Sequence, residues 1–455
     1  MSESYDLVIR GADIVTPAGP VQADLGIKNG RIAELGRELS GQTVIDAGGL
    51  IATPGGVDPH AHIEQRSGMG LMNADTFETA TRSAALGATT TVVSFAAQGR
   101  GERLREVVAD YSARAERGAY IDYAFHIILS DPTAPHFEDD LQDLIKSGHR
   151  SVKLFTTYDI ALDESQIRRV FAICASEGAL ACIHAEDDEI LKVARNTLIQ
   201  NGKILPKHHA EARPRSAESK AVADICALAE QTQTRTMIFH VTCIEALDAV
   251  AAAKARGAPI WAETCPHYLL QTAEILDQPS MKGAKFMCSP PQRAKADVEA
   301  LKRALIDGRL DIISSDHAPY RFDETGKFRN GPSPAFPDIA NGQPGLETRQ
   351  PLMFEMFEPS DFVRLTAETP AALHNLAGKG TLKLGADADI ALWDPAKSYT
   401  YNANALHDNV GYNQHEGQCV NAWPVHVFLR GNQIVTDGKL TAEPGQGRWI
   451  KRSWP

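Results

Sequence analysis

From about residue 50 to residue 316 the chain alternates short β-branched runs with amphipathic stretches, and this alternation limits its fold more than any other feature. The runs fall at Leu50 to Thr53, Thr89 to Phe95, Ile121 to Leu129, Ser151 to Phe155, Leu180 to His184, Thr236 to Val241, Pro259 to Thr264 and Asp311 to Ser315. Helical patterns separate nearly all of them, at Arg103 to Arg117, Asp163 to Glu177, Ser219 to Gln231, Glu245 to Arg256 and Ala296 to Asp307. Asp75 with Glu78 three residues on reads as a capping box that opens the first helix, and Gly87 closes it. Eight strands alternating with helices predict an α/β protein with a (β/α)8, TIM-like barrel, whose chemistry sits at the carboxyl ends of the strands.

The two chain ends have a different period. Leu7 to Val15 is rich in β-branched residues, and Ile27-Lys28-Asn29-Gly30-Arg31-Ile32 reads as a hairpin around an Asn-Gly turn. Asp389 to Trp393 and Val425 to Val435 repeat the style near the other end. Neither end has enough apolar residues to close a core alone. Residues 1–53 and 378–440 are therefore expected to share one small β-sandwich domain, with 54–377 as the barrel. Residues 441–455 form a tail that could reach a neighbouring subunit. The aperiodic loop from Tyr320 to Gly345, rich in Gly, Pro and Asn, is placed to act over the barrel mouth.

Composition narrows the partners. A formal charge of −12 argues against general nucleic-acid binding. No apolar run is long enough to span a bilayer, and the opening residues are polar and acidic. Seven scattered cysteines, never spaced Cys-x-x-Cys, read as buried apolar side chains in a reducing cytoplasm.

The strand ends carry a selected set of side chains. The first delivers His60 and His62, the fourth Lys153, the fifth His184, the sixth His240 and the eighth Asp316. Alternation along a strand puts His60 and His62 on one side. Imidazoles and a carboxylate suit borderline or harder divalent metals. Lys153 breaks that logic, because an ammonium beside divalent cations is repelled; burial among positive charges favours its neutral amine. A neutral amine can add carbon dioxide, and the resulting carbamate has two oxygens able to bridge two metals. With Asp316, the carbamate and a bridging hydroxide each subtracting one charge from two divalent ions, positive charge remains to stabilise an oxyanion. His208, His209, His374 and His426 are read as ordinary histidines.

Seven segments together carry a resemblance: Pro54 to Glu64, Ser151 to Tyr158, His184 to Glu186, His240 to Thr242, Glu263 to Tyr268, Ser315 to Pro319 and His407 to Gly417. Over nearly its whole length the sequence resembles the cyclic amidohydrolases, most closely the dihydropyrimidinase and hydantoinase branch. The resemblance implies two divalent metal ions, zinc or alternatively manganese. His60, His62 and Asp316 would hold one, His184 and His240 the other, and carbamylated Lys153 would bridge them. It further implies that Asp316 shuttles the proton, that Tyr158 donates to the oxyanion, and that Ser289 and Asn341 bind the ring amide. A hydroxide bridging the metals would then open a dihydropyrimidine or hydantoin to an N-carbamoyl amino acid, in a homodimer or homotetramer. Glu263 to Tyr268 would also suit an allantoinase, and Ser315 to Pro319 is similar to a dihydroorotase motif. Glu64 stands where dihydroorotases usually place an arginine. A non-catalytic dihydropyrimidinase-related scaffold is the reading from a different class, opposed by the presence of all six metal-binding residue types. After Glu64 the loop Gln65-Arg66-Ser67-Gly68-Met69-Gly70 is polar where the branch is usually apolar, which makes Arg66 a candidate contact for a polar or anionic ring substituent.

Overall fold

The computed structural model describes residues 5–453; Met1 to Ser4 and the last two residues of the tail, Trp454 and Pro455, lie outside them. Eight parallel strands form one sheet in strict chain order: Gly56–Ala61, Thr89–Ala97, Asp122–Ile128, Ser151–Phe155, Leu180–His184, Thr236–Ile238, Ile260–Thr264 and Ile312–Ile313. The sheet closes on itself where Ala61 bridges His317 and the His62 N–H donates to the His317 carbonyl at 2.7 Å. The (β/α)8 barrel expected from the alternation is therefore present.

Strand alternation fills it in layers. In Leu180–His184, residues 180 and 182 join an interior cluster with Phe95, Ile128, Phe155, Met237, Phe239 and Ile312, while Ala181 and Ile183 face the helices. His184 occupies the same inward face one step higher, at the carboxyl end.

Two sequence expectations are corrected. The run Leu50 to Thr53 is not the first barrel strand. Ile51–Pro54 pairs antiparallel with Ile390–Asp394 and parallel with Tyr5–Thr16, and the barrel begins at Gly56. The first helix, Phe77–Leu86, is capped by Thr76 and Thr79 rather than Asp75 and Glu78. Asp75 is occupied elsewhere, accepting from the His317 ring at 3.0 Å and from the Asn409 N–H at 2.9 Å. Gly87 does close that helix.

Strands from both chain ends make a second sheet of nine strands, with Ile51–Pro54 bonded between Tyr5–Thr16 and Ile390–Asp394. The long strand Tyr5–Thr16 breaks register between Ile9 and Ala12, and the intervening Gly11 has φ of 72°, which glycine adopts without the usual steric cost. The bend lets its first half pair with Gly41–Asp46 and its second half with Ile51–Pro54. Asn29 and Gly30, both at positive φ, form the turn that pairs Lys28 with Arg31. Leu7, Ile9, Ile14, Leu25, Ile27, Ile390, Leu392 and Phe428 bury this domain's core.

The residues after 440 lie along the amino-terminal end of the chain's own barrel. Gly447 donates to Ala119, Trp449 bridges Tyr123, and Arg452 is buried, donating to the Ser151 hydroxyl at 2.7 Å and to the Phe125 carbonyl. Among the described residues no helix is long and apolar enough to cross a membrane.

Candidate active site

The strand ends converge at the carboxyl-terminal mouth as the alternation requires. His60, Lys153, His184, His240 and Asp316 are buried, His62 is partly so, and all six line one cavity of about 410 Å³ together with Tyr158, Ser289 and Asn341. Asp316 Oδ1 lies 3.1 Å from His60 Nε2 and 3.5 Å from His62 Nε2. The facing donor atoms of these three residues all fall within 4.8 Å of one another, close enough to surround one ion. The His184 and His240 rings meet edge to face with centroids 4.6 Å apart. Lys153 Nζ stands 3.8 Å from the centre of the Phe239 ring and has no hydrogen-bond partner.

Three of the cavity residues have an unusual backbone conformation. Tyr158, His240 and Asp316 have φ values of 72°, 41° and 46°, a region that L-residues with side chains seldom occupy. They follow the last strand residues Phe155, Ile238 and Ile313 by two or three positions, and all three line the cavity.

Three of the four imidazoles are oriented from their far side. His60 Nδ1 donates to the buried Glu263 carboxylate, His62 Nδ1 lies 2.7 Å from Gln65 Oε1, and His184 Nε2 lies 2.8 Å from Glu186 Oε2. Such outer contacts fix the tautomer and aim the other nitrogen's lone pair, as around bound metals. Glu186 is in turn held by Arg213, whose guanidinium also reaches the Tyr158 hydroxyl at 3.2 Å. Glu263, Glu186 and Gln65 could have been singled out by the strand-end rule, since each follows or ends a run already marked. Arg213 carried no local signal; it comes from a helix-linking turn far along the chain.

Electrostatics fit a cation site. Burial disfavours a charged His60, but the carboxylates of Glu263 and Asp316 outweigh it and hold the imidazole up at about 9. Burial would raise Asp316, yet His60 and its neighbouring histidines hold it well below the usual carboxylate range. A proton lodged between two carboxylates is what a bound cation would displace, because imidazole ligates in its neutral form. Burial lowers His184 to about 4 and Lys153 to about 8. The Nδ1 of His240 and the Asn341 Oδ1 are buried without partners. A polar, buried cavity with unpartnered donor atoms is costly unless a ligand completes it.

Two residues prominent in the sequence sit away from the chemistry. Arg66 is exposed and faces a neighbouring groove, while Gln65, Ser67, Gly68 and Met69 of its loop line the cavity. Glu64 accepts the Phe77 N–H at 3.0 Å and so serves the first helix's N-terminus.

Comparison with known proteins decides the family. The amidohydrolase family model matches residues 51–434. The chain belongs to the amidohydrolase family. This amidohydrolase is 39% identical to a D-hydantoinase of Ralstonia pickettii, over 98% of its own length and 99% of the relative's. It is 34% identical to a D-hydantoinase of Geobacillus stearothermophilus, over 98% and 96%. Among solved structures it superposes on a dihydropyrimidinase of Brevibacillus agri with a TM-score of 0.94, 33% identity and 98% coverage of both chains.

Proposed function

We propose that this amidohydrolase opens a cyclic ureide, a hydantoin or dihydropyrimidine, to an N-carbamoyl amino acid. The observation that carries the reading is the Lys153 amine, buried and unpartnered between the His60, His62, Asp316 group and the His184, His240 pair. Depressed toward neutrality, that amine can attack the carbon of carbon dioxide, release a proton and become an anionic carbamate between the two groups.

In this reading His60, His62 and Asp316 would hold one divalent ion, His184 and His240 a second, and a carbamylated Lys153 would serve both; zinc is the metal proposed, with manganese the alternative. Such ions, when bound, supply Lewis acidity and an acidified water. The residues perform the remaining work. Asp316 accepts the proton of the attacking water and passes it to the leaving ring nitrogen. Tyr158, held by Arg213, donates to the carbonyl oxygen as negative charge develops there. Ser289 and Asn341, which line the same cavity, hold the ring amide so that its carbonyl faces the strand ends.

Two measurements test this together. Purified protein should carry about two divalent ions per chain, and a turnover panel of dihydrouracil, substituted hydantoins, allantoin, dihydroorotate and simple cyclic imides should show ring opening of hydantoins or dihydrouracil. A metal-free protein inert toward every ring would support the scaffold reading, and preference for allantoin would move the assignment to an allantoinase.

A further inference from the structure

Below the mouth, inside the barrel, three side chains outside the catalytic cavity bring soft donors together. His126 comes from the third barrel strand, Cys182 from the fifth, and His374 from the residue that ends the helix Thr369–Leu373. Their exposures are 0%, 0% and 2%, and one donor atom of each lies within 4.8 Å of the other two. Cys182 Sγ is 3.7 Å from His126 Nδ1.

The two imidazoles are prepared in the same way. His126 Nε2 lies 2.8 Å from the Pro59 carbonyl, and His374 Nδ1 lies 3.0 Å from the Pro370 carbonyl. A carbonyl can only accept, so each of those nitrogens carries the N–H. The lone pairs are thereby left on His126 Nδ1 and His374 Nε2, the two atoms that converge on the thiol. His374 Nε2 has no partner. Burial keeps both rings neutral, His374 down to about 3. Backbone carbonyls fixing the far nitrogen of a histidine are the usual support of a metal ligand.

We propose that His126, Cys182 and His374 form a buried three-coordinate site for a soft monovalent ion, Cu(I). Donor type, coordination number and charge each favour that ion. A thiolate with two imidazoles selects soft metals, and the strand partner of Cys182 is Met237, a second soft sulfur side chain in the same interior cluster. Structural zinc sites close with four protein ligands, whereas this group offers three and is buried away from the water that completes a catalytic one. The buried Arg452 guanidinium also acts electrostatically on Cys182, His126 and His374. Beside that fixed positive charge, a thiolate with a monovalent ion is neutral, while a divalent ion would add a second net positive charge. On binding, the thiol proton departs to solvent as the sulfur–copper bond forms.

The test uses the divalent-metal holoenzyme, with Cys419→Ser to remove the exposed thiol. The protein is incubated anaerobically with Cu(I) buffered by a chromophoric chelator, and the bound ion is examined by X-ray absorption. About one equivalent should be held with a shell of two nitrogens and one sulfur, and both His374→Gln and Cys182→Ala should abolish that equivalent. Because His374→Gln keeps a polar side chain of similar reach, its folding can be checked by thermal melting before the titration is read. Absence of stoichiometric binding in the parent protein overturns the proposal. So does unchanged binding in folded His374→Gln, or a shell without the two nitrogens.

Discussion

The two ends of the barrel treat charge in opposite ways. At the carboxyl mouth, charged and polar side chains are buried without partners: Lys153 Nζ, His240 Nδ1 and Asn341 Oδ1. Toward the amino end one buried ammonium is fully paired, although the buried Arg452 there donates to neutral acceptors. Lys379 contacts Asp122, Asp389 and Asp387 at 2.6, 2.8 and 3.0 Å, and Arg430 donates to the same Asp122. Asp122 belongs to the barrel, while Asp389 adjoins a strand of the second sheet, so one ammonium joins the two cores. The contrast is between unpartnered polar atoms that leave room for a ligand at the mouth and an ion cluster that ties the two cores together at the other end. Retaining unsatisfied groups lowers stability and is tolerated where a ligand completes them.

Lys153→Ala breaks the comparison most strongly. Activity toward the preferred ring should fall by roughly 10³-fold or more, metal content should drop with it, and the metal-free protein's unfolding midpoint should hardly change. Full activity in this variant would end the metal assignment. Lys379→Met is the converse case, leaving three carboxylates without their shared cation. Destabilisation of about 3–5 kcal/mol is expected in denaturant melts, while kcat of the protein that remains folded stays near the parent value.

Tyr158→Phe sharpens the picture of the mouth. Turnover should fall about 10²-fold with little change in KM, because the lost hydrogen bond matters chiefly as the oxyanion develops. A loss confined to KM would reassign Tyr158 to ground-state binding. The smallest effect concerns Lys327, buried in the loop over the mouth and donating to the Ala340 and Gly342 carbonyls at 2.8 and 2.9 Å. Burial lowers its ammonium to about 7 from 10.5. Between those values the unfolded chain holds a proton that the folded chain has released, so this group's contribution to stability rises with pH, by up to about 1.4 kcal/mol per unit. Below about pH 7 both states are protonated and the slope vanishes. Lys327→Met should flatten the stability–pH curve over that window in denaturant titrations; an unchanged slope would mean the ammonium stays charged.

How much of this was legible beforehand follows from the range of each interaction. Seven of the eight barrel strands were placed within three residues at each end, because a β-branched run bounded by helical patterns is a local signal. Lys153, His184, His240 and Asp316 were read from the ends of those strands, whereas His60 and His62 were assigned to a first strand that was placed too early. Arg66 could be read from the sequence either as a substituent contact or as a solvent-facing residue, and it is exposed, because the path of a polar loop depends on what it packs against, here the Arg66–Met72 bridge. The cap of the first helix was misassigned for a similar reason: Asp75 had better partners in His317 and Asn409, both more than two hundred residues away.

By itself, then, the sequence determined the periodicity, the eight-strand alternation and the residue types at the strand ends, since each depends on neighbours within a few positions. Tertiary structure alone decided which sheet Ile51–Pro54 joins, where Arg213 and Arg452 are buried, and that His374 meets His126 and Cys182. Those outcomes rest on contacts between segments up to several hundred residues apart, whose partners no local pattern names.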